Sequence, residues 1–248
     1  MCRITPSRPH FGYDNLLDID PIVNVCCGKH NKELFLNGRL SVRRYCTVGL
    51  VLLLIAPVAL LVDLPLAIWA RDQAYPKFLV KACNLSEFFA HAFGVFIIAW
   101  IITLLDARGW RRALTVLIAA LSAGLTGDLL KLLIFRVRPR DFDFAGGILT
   151  TFQEWLPVST RHIEHLSSSF PSSHAATAAG LTFVLMFFYP RGRAVFAVLF
   201  FLACAQRVFA GAHFLSDVLF GAGIGWCASF LVVSGVIPKS WWSDESPT

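Results

Sequence analysis

Residues 194–236 read AVFAVLFFLACAQRVFAGAHFLSDVLFGAGIGWCASFLVVSGV, which is two apolar blocks separated by a short, more polar segment. Each block approaches the length of about 20 residues that an α-helix needs to cross a bilayer. The segment between them carries Arg207, His213 and Asp217. This stretch predicts two membrane-spanning helices that present ionisable side chains at the membrane edge where they meet.

The rest of the chain continues this pattern. Of the 248 residues, 56% are hydrophobic and only 15% are charged, which is atypical of a soluble domain. Because backbone groups inside a bilayer must be satisfied internally, the apolar blocks are predicted to be helices. We therefore predict an all-α, integral membrane six-helix bundle. Its spans lie near residues 45–62, 86–105, 113–135, 175–189, 194–210 and 217–236, and the fourth is short.

Lysine and arginine are distributed unequally between the two sides of this bundle. With a cytoplasmic N-terminus, 13 of the 22 basic residues lie inside, as the positive-inside rule favours. We expect a cytoplasmic extension over residues 1–44, a membrane domain over 45–236 and a cytoplasmic tail over 237–248. Seven of the inside residues fall in 1–45, and the others are Arg108, Arg111, Arg112, Arg191, Arg193 and Lys239.

Composition excludes other classes of protein. The net charge of +6 reflects inner loops facing anionic lipid, and no dense basic stripe with interleaved aromatics indicates a nucleic-acid partner. The seven cysteines are scattered and odd in number, so they indicate neither a disulfide framework nor a metal site. The long aromatic loop over residues 140–170 is interpreted as a lid on the membrane or as a loop packed on the bundle.

Three clusters carry the chemistry. His213 and Asp217 are four residues apart, so on one helix Asp217 could accept the proton of one imidazole nitrogen and leave the other as a lone pair. Arg207 precedes His213 by six residues, and Gly211 permits the break that would bring both to one point.

The second cluster is Pro171-Ser172-Ser173-His174, ahead of an Ala/Thr-rich segment. Serine and proline are common at helix entrances, so a simple capping sequence is one interpretation. The same amides and hydroxyls can hold a phosphate oxygen, with His174 beside it as a proton donor.

The first cluster supplies positive charge. Lys131 and Arg138 are seven residues apart, which on a helix would be the same face, and an intramembrane lysine is a functional candidate. Asp128 could instead simply pair with Lys131. Arg136 and Arg140 are interpreted as surface residues that meet lipid headgroups, and Asp63-Leu64-Pro65 as the end of the first span.

These side chains match the needs of phosphoryl transfer. The transferred group spreads negative charge over three oxygens, and catalysis is largely positioning and electrostatic stabilisation. Lys131, Arg138, Arg207 and the serines could supply this without a metal. No other Asp/Glu/His grouping in the sequence has the form of a magnesium or zinc site, so we expect neither metal nor cofactor.

The order and spacing of the clusters resemble the three signature motifs of the type 2 phosphatidic acid phosphatase family. These are Lys131 with Arg138-Pro139, then Pro171 to His174, then Arg207, His213 and Asp217. The family includes bacterial lipid phosphatases and is related to vanadium haloperoxidases. The resemblance spans residues 131–217 and implies a bacterial inner membrane protein, and the orientation favoured by the Lys/Arg count places its active site in the periplasm.

The resemblance also implies roles for single residues. His213 matches the nucleophile that forms a phosphohistidine, Asp217 the carboxylate that orients it, and His174 the acid for the leaving group. Two positions depart from the family: Ser173 stands where Gly is usual, and Gln206 where Ser is usual. The matched phosphate-binding positions are Lys131, Arg138, Ser172, Ser173 and Arg207.

The predicted substrate is a lipid phosphate in the bilayer: lipid A, undecaprenyl diphosphate, phosphatidylglycerol phosphate or phosphatidate. Overall size and the segment 138–143 favour the lipid A phosphatase subgroup. The alternatives are a lipid phosphotransferase with the same intermediate and a non-catalytic lipid-binding scaffold. A haloperoxidase is disfavoured because those relatives are soluble, and a transporter because the charges cluster at one face. The sequence does not fix the oligomeric state.

Overall fold

The computed structural model describes residues 21–73, 75–155 and 168–236, with side chains from Thr47 onward. The predicted extension over 1–44 and tail over 237–248 lie outside the residues whose side chains are described. The chain divides into Met1–Ser41 and Val42–Thr248, and the account below concerns the second unit. The described helices are α1 (Pro21–Asp72), α2 (Lys77–Ser86), α3 (Ala92–Leu105), α4 (Gly109–Lys131), α5 (Ser173–Phe188), α6 (Arg193–Phe209) and α7 (Leu215–Leu231).

The helices form the predicted all-α membrane bundle. Within the described residues, Thr47–Asp72, Gly109–Lys131, Pro190–Phe209 and Leu215–Gly235 are long and apolar enough to span a bilayer. A fifth span is broken, because Lys77–Ala90 and Ala92–Leu105 meet at 71°. The predicted short span is α5, whose 16 residues are almost wholly buried up to Leu185. The described chain is therefore a multi-pass membrane protein.

Helix α5 is the centre of the bundle and packs between α4 and α7. It is rich in alanine, and the facing positions of α7 are glycines. A Cβ at Gly221 would lie 2.3 Å from the Ser172 carbonyl oxygen, and one at Gly225 2.2 Å from that of Ala176. Lipid provides little hydrophobic drive between helices, so small residues that permit close backbone contact hold them together.

Helix α1 is longer than the sequence indicates. Asp63 does not end the span, because the helix continues to Asp72 with Pro57 and Pro65 inside it. Proline is tolerated in membrane helices where neighbouring groups satisfy the freed carbonyls. As a result Asp63 lies inside the bundle and is only 1% exposed.

A small antiparallel sheet, which the sequence did not predict, follows α4. Strand β1 (Ile134–Arg136) pairs with β2 (Phe152–Trp155), so that Ile134 faces Trp155. The sheet ties the start of the long aromatic loop to the end of α4. It therefore covers the same end of the bundle that carries the three clusters.

Candidate active site

The turn between α6 and α7 brings Arg207 and His213 together. Helix α6 ends at Phe209, and Gly211 adopts the left-handed conformation with φ +60°. The His213 amide then donates to the Arg207 carbonyl at 3.2 Å. The break predicted at Gly211 is present, and it folds the third cluster into one compact loop.

His213 is buried at 3% exposure, and its ring is held by the backbone. Its Nδ1 lies 2.6 Å from the carbonyl oxygen of Ser169. A carbonyl only accepts, so the ring hydrogen is on Nδ1 and Nε2 carries the lone pair. Burial, reinforced by the Lys131 ammonium, holds the pKa of His213 well below its usual range. The imidazole is therefore neutral at neutral pH, as a nucleophile requires.

Asp217 is linked to His213 only through Ser169, so the hydrogen bond expected between the Asp217 carboxylate and the His213 imidazole is wrong. His213 lies before the first turn of α7, so the helical spacing that would bring both side chains onto one face does not apply. Instead Asp217 Oδ2 accepts from Ser169 Oγ at 2.6 Å and from the Phe214 amide at 2.9 Å. Ser169 joins the two, because its carbonyl holds the imidazole and its hydroxyl binds the carboxylate.

Arg136 is fully buried, so its interpretation as a headgroup-facing surface residue is wrong. Its NH1 bonds Asp217 Oδ1, and its NH2 bonds Asp63 Oδ2 at 2.8 Å. Ser216 also contacts both Asp63 oxygens, through its amide at 2.9 Å and through its hydroxyl. The two carboxylates pair with the guanidinium and, together with the Thr151 and Ser216 hydroxyls, accept from its N–H groups, as a buried ion requires.

The second cluster forms the start of α5. Ser172 is the N-cap residue, and its Oγ accepts from the Ala175 amide at 3.4 Å. Its own amide donates to the Asp217 carbonyl at 3.1 Å, which fixes α5 against α7. The Ser173 hydroxyl bonds Asp128 on α4. The capping and the phosphate-site interpretations are compatible, because His174 lies in the first turn of α5, at the same helix N-terminus.

The three cations of the site come from different elements. Lys131, Arg138 and Arg207 all act electrostatically on its imidazole. Lys131 is the last residue of α4, whereas Arg138 lies beyond β1, so the expected shared helix face is wrong and the chain reversal brings them together. Lys131 Nζ lies 3.3 Å from Asp128, which was the predicted pair.

Arg207 is bound on two sides. Its Nε bonds the Gln206 side-chain carbonyl, and its NH2 bonds Glu87 Oε1. Gln206 Nε2 also donates to Glu87 Oε2 at 3.2 Å, which closes the triangle. Gln206, one of the two departures from the family pattern, thus has a structural partner in Glu87. Sequence reasoning missed Glu87 because it is 120 residues from Arg207.

His91 is a further neighbour that the sequence did not indicate. Its ring meets that of His174 edge to face, with centroids 4.9 Å apart. Metal-ligating atoms of Glu87, His91 and His174 lie within 4.8 Å of one another. We expected no such grouping beyond the three clusters, and the 71° break between α2 and α3 creates it.

The aromatic loop packs on the site over its described part. The Arg136 guanidinium lies 4.5 Å from the ring centroid of Phe152 and 4.2 Å from that of Phe214. Trp155 stacks on Phe152 at 5.7 Å. Residues 156–167 of the predicted loop lie outside the described residues.

Comparison with known proteins agrees with this architecture. A solved structure, the first transmembrane PAP2 type phosphatidylglycerolphosphate phosphatase from Bacillus subtilis, superposes with a TM-score of 0.52. The identity is 22%, and the match covers 76% of this chain and 94% of that one. No curated protein matches this sequence. The family model of the PAP2 superfamily matches residues 112–241, which is more than half of the chain.

Proposed function

This chain belongs to the PAP2 superfamily, and we propose that it is a lipid phosphatase that removes a phosphate from a membrane lipid through a phosphohistidine on His213. The observation that carries the proposal is the state of that side chain. It is neutral, its Nδ1 hydrogen is fixed by Ser169, and Lys131, Arg138 and Arg207 act on it electrostatically. Free Nε2 is then the atom that attacks phosphorus.

The reaction proceeds in two steps. In the first, Nε2 of His213 forms a bond to phosphorus while the bond to the lipid oxygen breaks, and His174 gives its proton to that oxygen. Lys131, Arg138 and Arg207 stabilise the charge on the phosphoryl oxygens. In the second, His174 takes a proton from water, the water oxygen bonds to phosphorus, and inorganic phosphate leaves His213.

Ser172 and Ser173 complete the phosphate site at the start of α5. Their position at a helix N-terminus suits an anion, since amides and the helix dipole point toward it. Asp217 acts as a positioning residue through Ser169. The bilayer location of the bundle supports an amphiphilic substrate. Its class is a phosphate monoester or a diphosphate, and the panel to test is lipid A, undecaprenyl diphosphate, phosphatidylglycerol phosphate and phosphatidate.

The mechanism needs no metal, because side-chain cations supply the charge. The grouping of Glu87 with His91 and His174 does not change this, since both Glu87 oxygens already bind Arg207 and Gln206. The cellular setting that we propose is a bacterial inner membrane, with both termini in the cytoplasm and the site in the periplasm.

The test is phosphate release by the purified protein in detergent with EDTA over the lipid panel. We expect release from at least one lipid, unchanged by EDTA, and a loss of roughly 10³-fold or more in His213→Ala, the scale for removing a nucleophile. Acid-labile radiolabel on the wild-type protein, absent from His213→Ala, would identify the intermediate. Substantial turnover by a folded His213→Ala protein would exclude this nucleophile. Transfer of the label to an acceptor lipid without free phosphate would indicate a phosphotransferase.

A further inference from the structure

Helix α2 carries a polar stripe that the proposed reaction does not use. Lys77 and Lys81 are four residues apart and Asn84 follows three residues later, so they share one face of the helix. All three are exposed and line one cavity of about 430 Å³ together with Tyr75. A concave surface with two cations and an amide is suited to an anionic group.

The stripe leads toward the phosphate site. A second cavity, of about 160 Å³, shares Tyr75, Val80 and Asn84 with the first and is also lined by Gln206. Gln206 bonds both Arg207 and Glu87. Glu87 itself is three residues beyond Asn84, just past the end of α2. A ligand that fills both cavities would therefore extend from the two lysines to the residues that hold Arg207.

The two lysines differ from the cations of the phosphate site in their charge balance. Lys131 is paired with Asp128, and Arg207 with Glu87. Among the described residues neither Lys77 nor Lys81 forms an ion pair. An exposed lysine pair at four residues' spacing is also self-repelling, and a shared anionic ligand relieves that repulsion.

The apolar residues beside the stripe indicate where the rest of the ligand lies. Phe78 and Leu85 are 76% and 68% exposed, next to the lysines on α2. Exposed apolar side chains on a membrane-embedded bundle contact acyl chains, while flanking lysines reach toward headgroups. The occupant that fits both parts is a lipid headgroup with its chains.

We propose that Lys77, Lys81 and Asn84 bind a second phosphate group of the substrate, so that the protein prefers lipids that carry a phosphate in addition to the one removed. This rests on the proposed function and specifies its substrate class. The continuity of the cavities with Gln206 favours the substrate itself over bulk anionic lipid, which would need only an exposed positive surface.

The test compares two lipids with identical chains in a neutral detergent: phosphatidate, with one phosphate, and phosphatidylglycerol phosphate, with two. For the Lys77→Gln/Lys81→Gln protein, kcat/KM on the second lipid should fall by on the order of tenfold or more, mainly through KM, as expected for losing charge-assisted contacts. On phosphatidate it should change by less than about twofold, since no second phosphate is present. Arg71→Gln is the matched control, because it removes an exposed cation from the same end of the bundle outside both cavities.

Three results would overturn the proposal. Equal losses on both lipids would show that the lysines serve the fold or the scissile phosphate. No loss on either would show that they face bulk headgroups, and the same change of preference in Arg71→Gln would indicate a general field effect. Binding of both lipids to the inactive His213→Ala protein, with and without the two lysine substitutions, measures lipid recognition separately from turnover. If wild-type protein released no phosphate, the proposed function would fail, while this binding arm would still decide whether the lysines select the second phosphate.

Discussion

Arg207 is held in position by the Glu87 carboxylate, which also competes with a phosphate for the guanidinium. The Glu87 carboxylate holds the guanidinium in place, but it also occupies a donor that a phosphate oxygen would use. Removing that charge while retaining an acceptor should favour anions at the site.

We predict that Glu87→Gln strengthens competitive inhibition by inorganic phosphate about fourfold, the effect of one unit charge about 5 Å away in a water-like dielectric. Inhibition constants measured at constant ionic strength check this. Gln206→Ser is the matched control, since it breaks the same triangle but keeps the Glu87 charge, and its inhibition constant should not fall. Weaker inhibition in Glu87→Gln would mean that the carboxylate mainly organises Arg207.

At the scale of single residues, the sequence indicates the residues of the three clusters but not their partners. The spacing of the charged residues around His213 was sufficient to select the candidate site residues. Ser169 was missed because its contact with His213 is through a backbone carbonyl, which any residue possesses. Glu87 was missed because it is far from Arg207 in the sequence, and the helix break that follows it was not predicted.

At the scale of elements, Asp63 links α1 to the loops that build the site. It contacts Arg136 from the first strand and Ser216 from α7, and all of these side chains are buried. Apolar blocks predict where α1 lies in the membrane. They do not predict that the buried Asp63 carboxylate anchors it, because an aspartate two residues before a proline equally well marks a helix end.

We predict that Asp63→Ala destabilises the protein by about 3–5 kcal/mol, since Arg136 NH2 and the amide and hydroxyl of Ser216 all lose their buried acceptor. Thermal unfolding in detergent should show the loss, together with lower turnover, because Asp217 shares Arg136. Asp72→Ala, in the same helix but at an exposed ion pair with Arg71, should change neither quantity. An Asp63→Ala protein as stable as Asp72→Ala would contradict the anchoring role.

At the scale of the whole molecule, composition alone predicts a helical membrane bundle, because lipid excludes unsatisfied backbone. The short fourth span has a physical explanation in the structure: α5 is surrounded by α4, α6 and α7, so its length is not set by contact with lipid. The 71° bend between α2 and α3 could not be predicted, since no proline or glycine lies at the break over residues 86–92.

Two turns at opposite ends of the bundle test the orientation. Ala107 is exposed between α3 and α4, beside the basic residues Arg108, Arg111 and Arg112, whereas Ala145 is exposed in the loop at the end that carries the site. The positive-inside rule places the basic turn in the cytoplasm. In a parent protein whose seven cysteines are replaced by alanine, a membrane-impermeant maleimide applied to spheroplasts should label Ala145→Cys at once. It should label Ala107→Cys only after permeabilisation. The reverse order would place the active site in the cytoplasm, and with it the leaflet from which the protein takes its lipid.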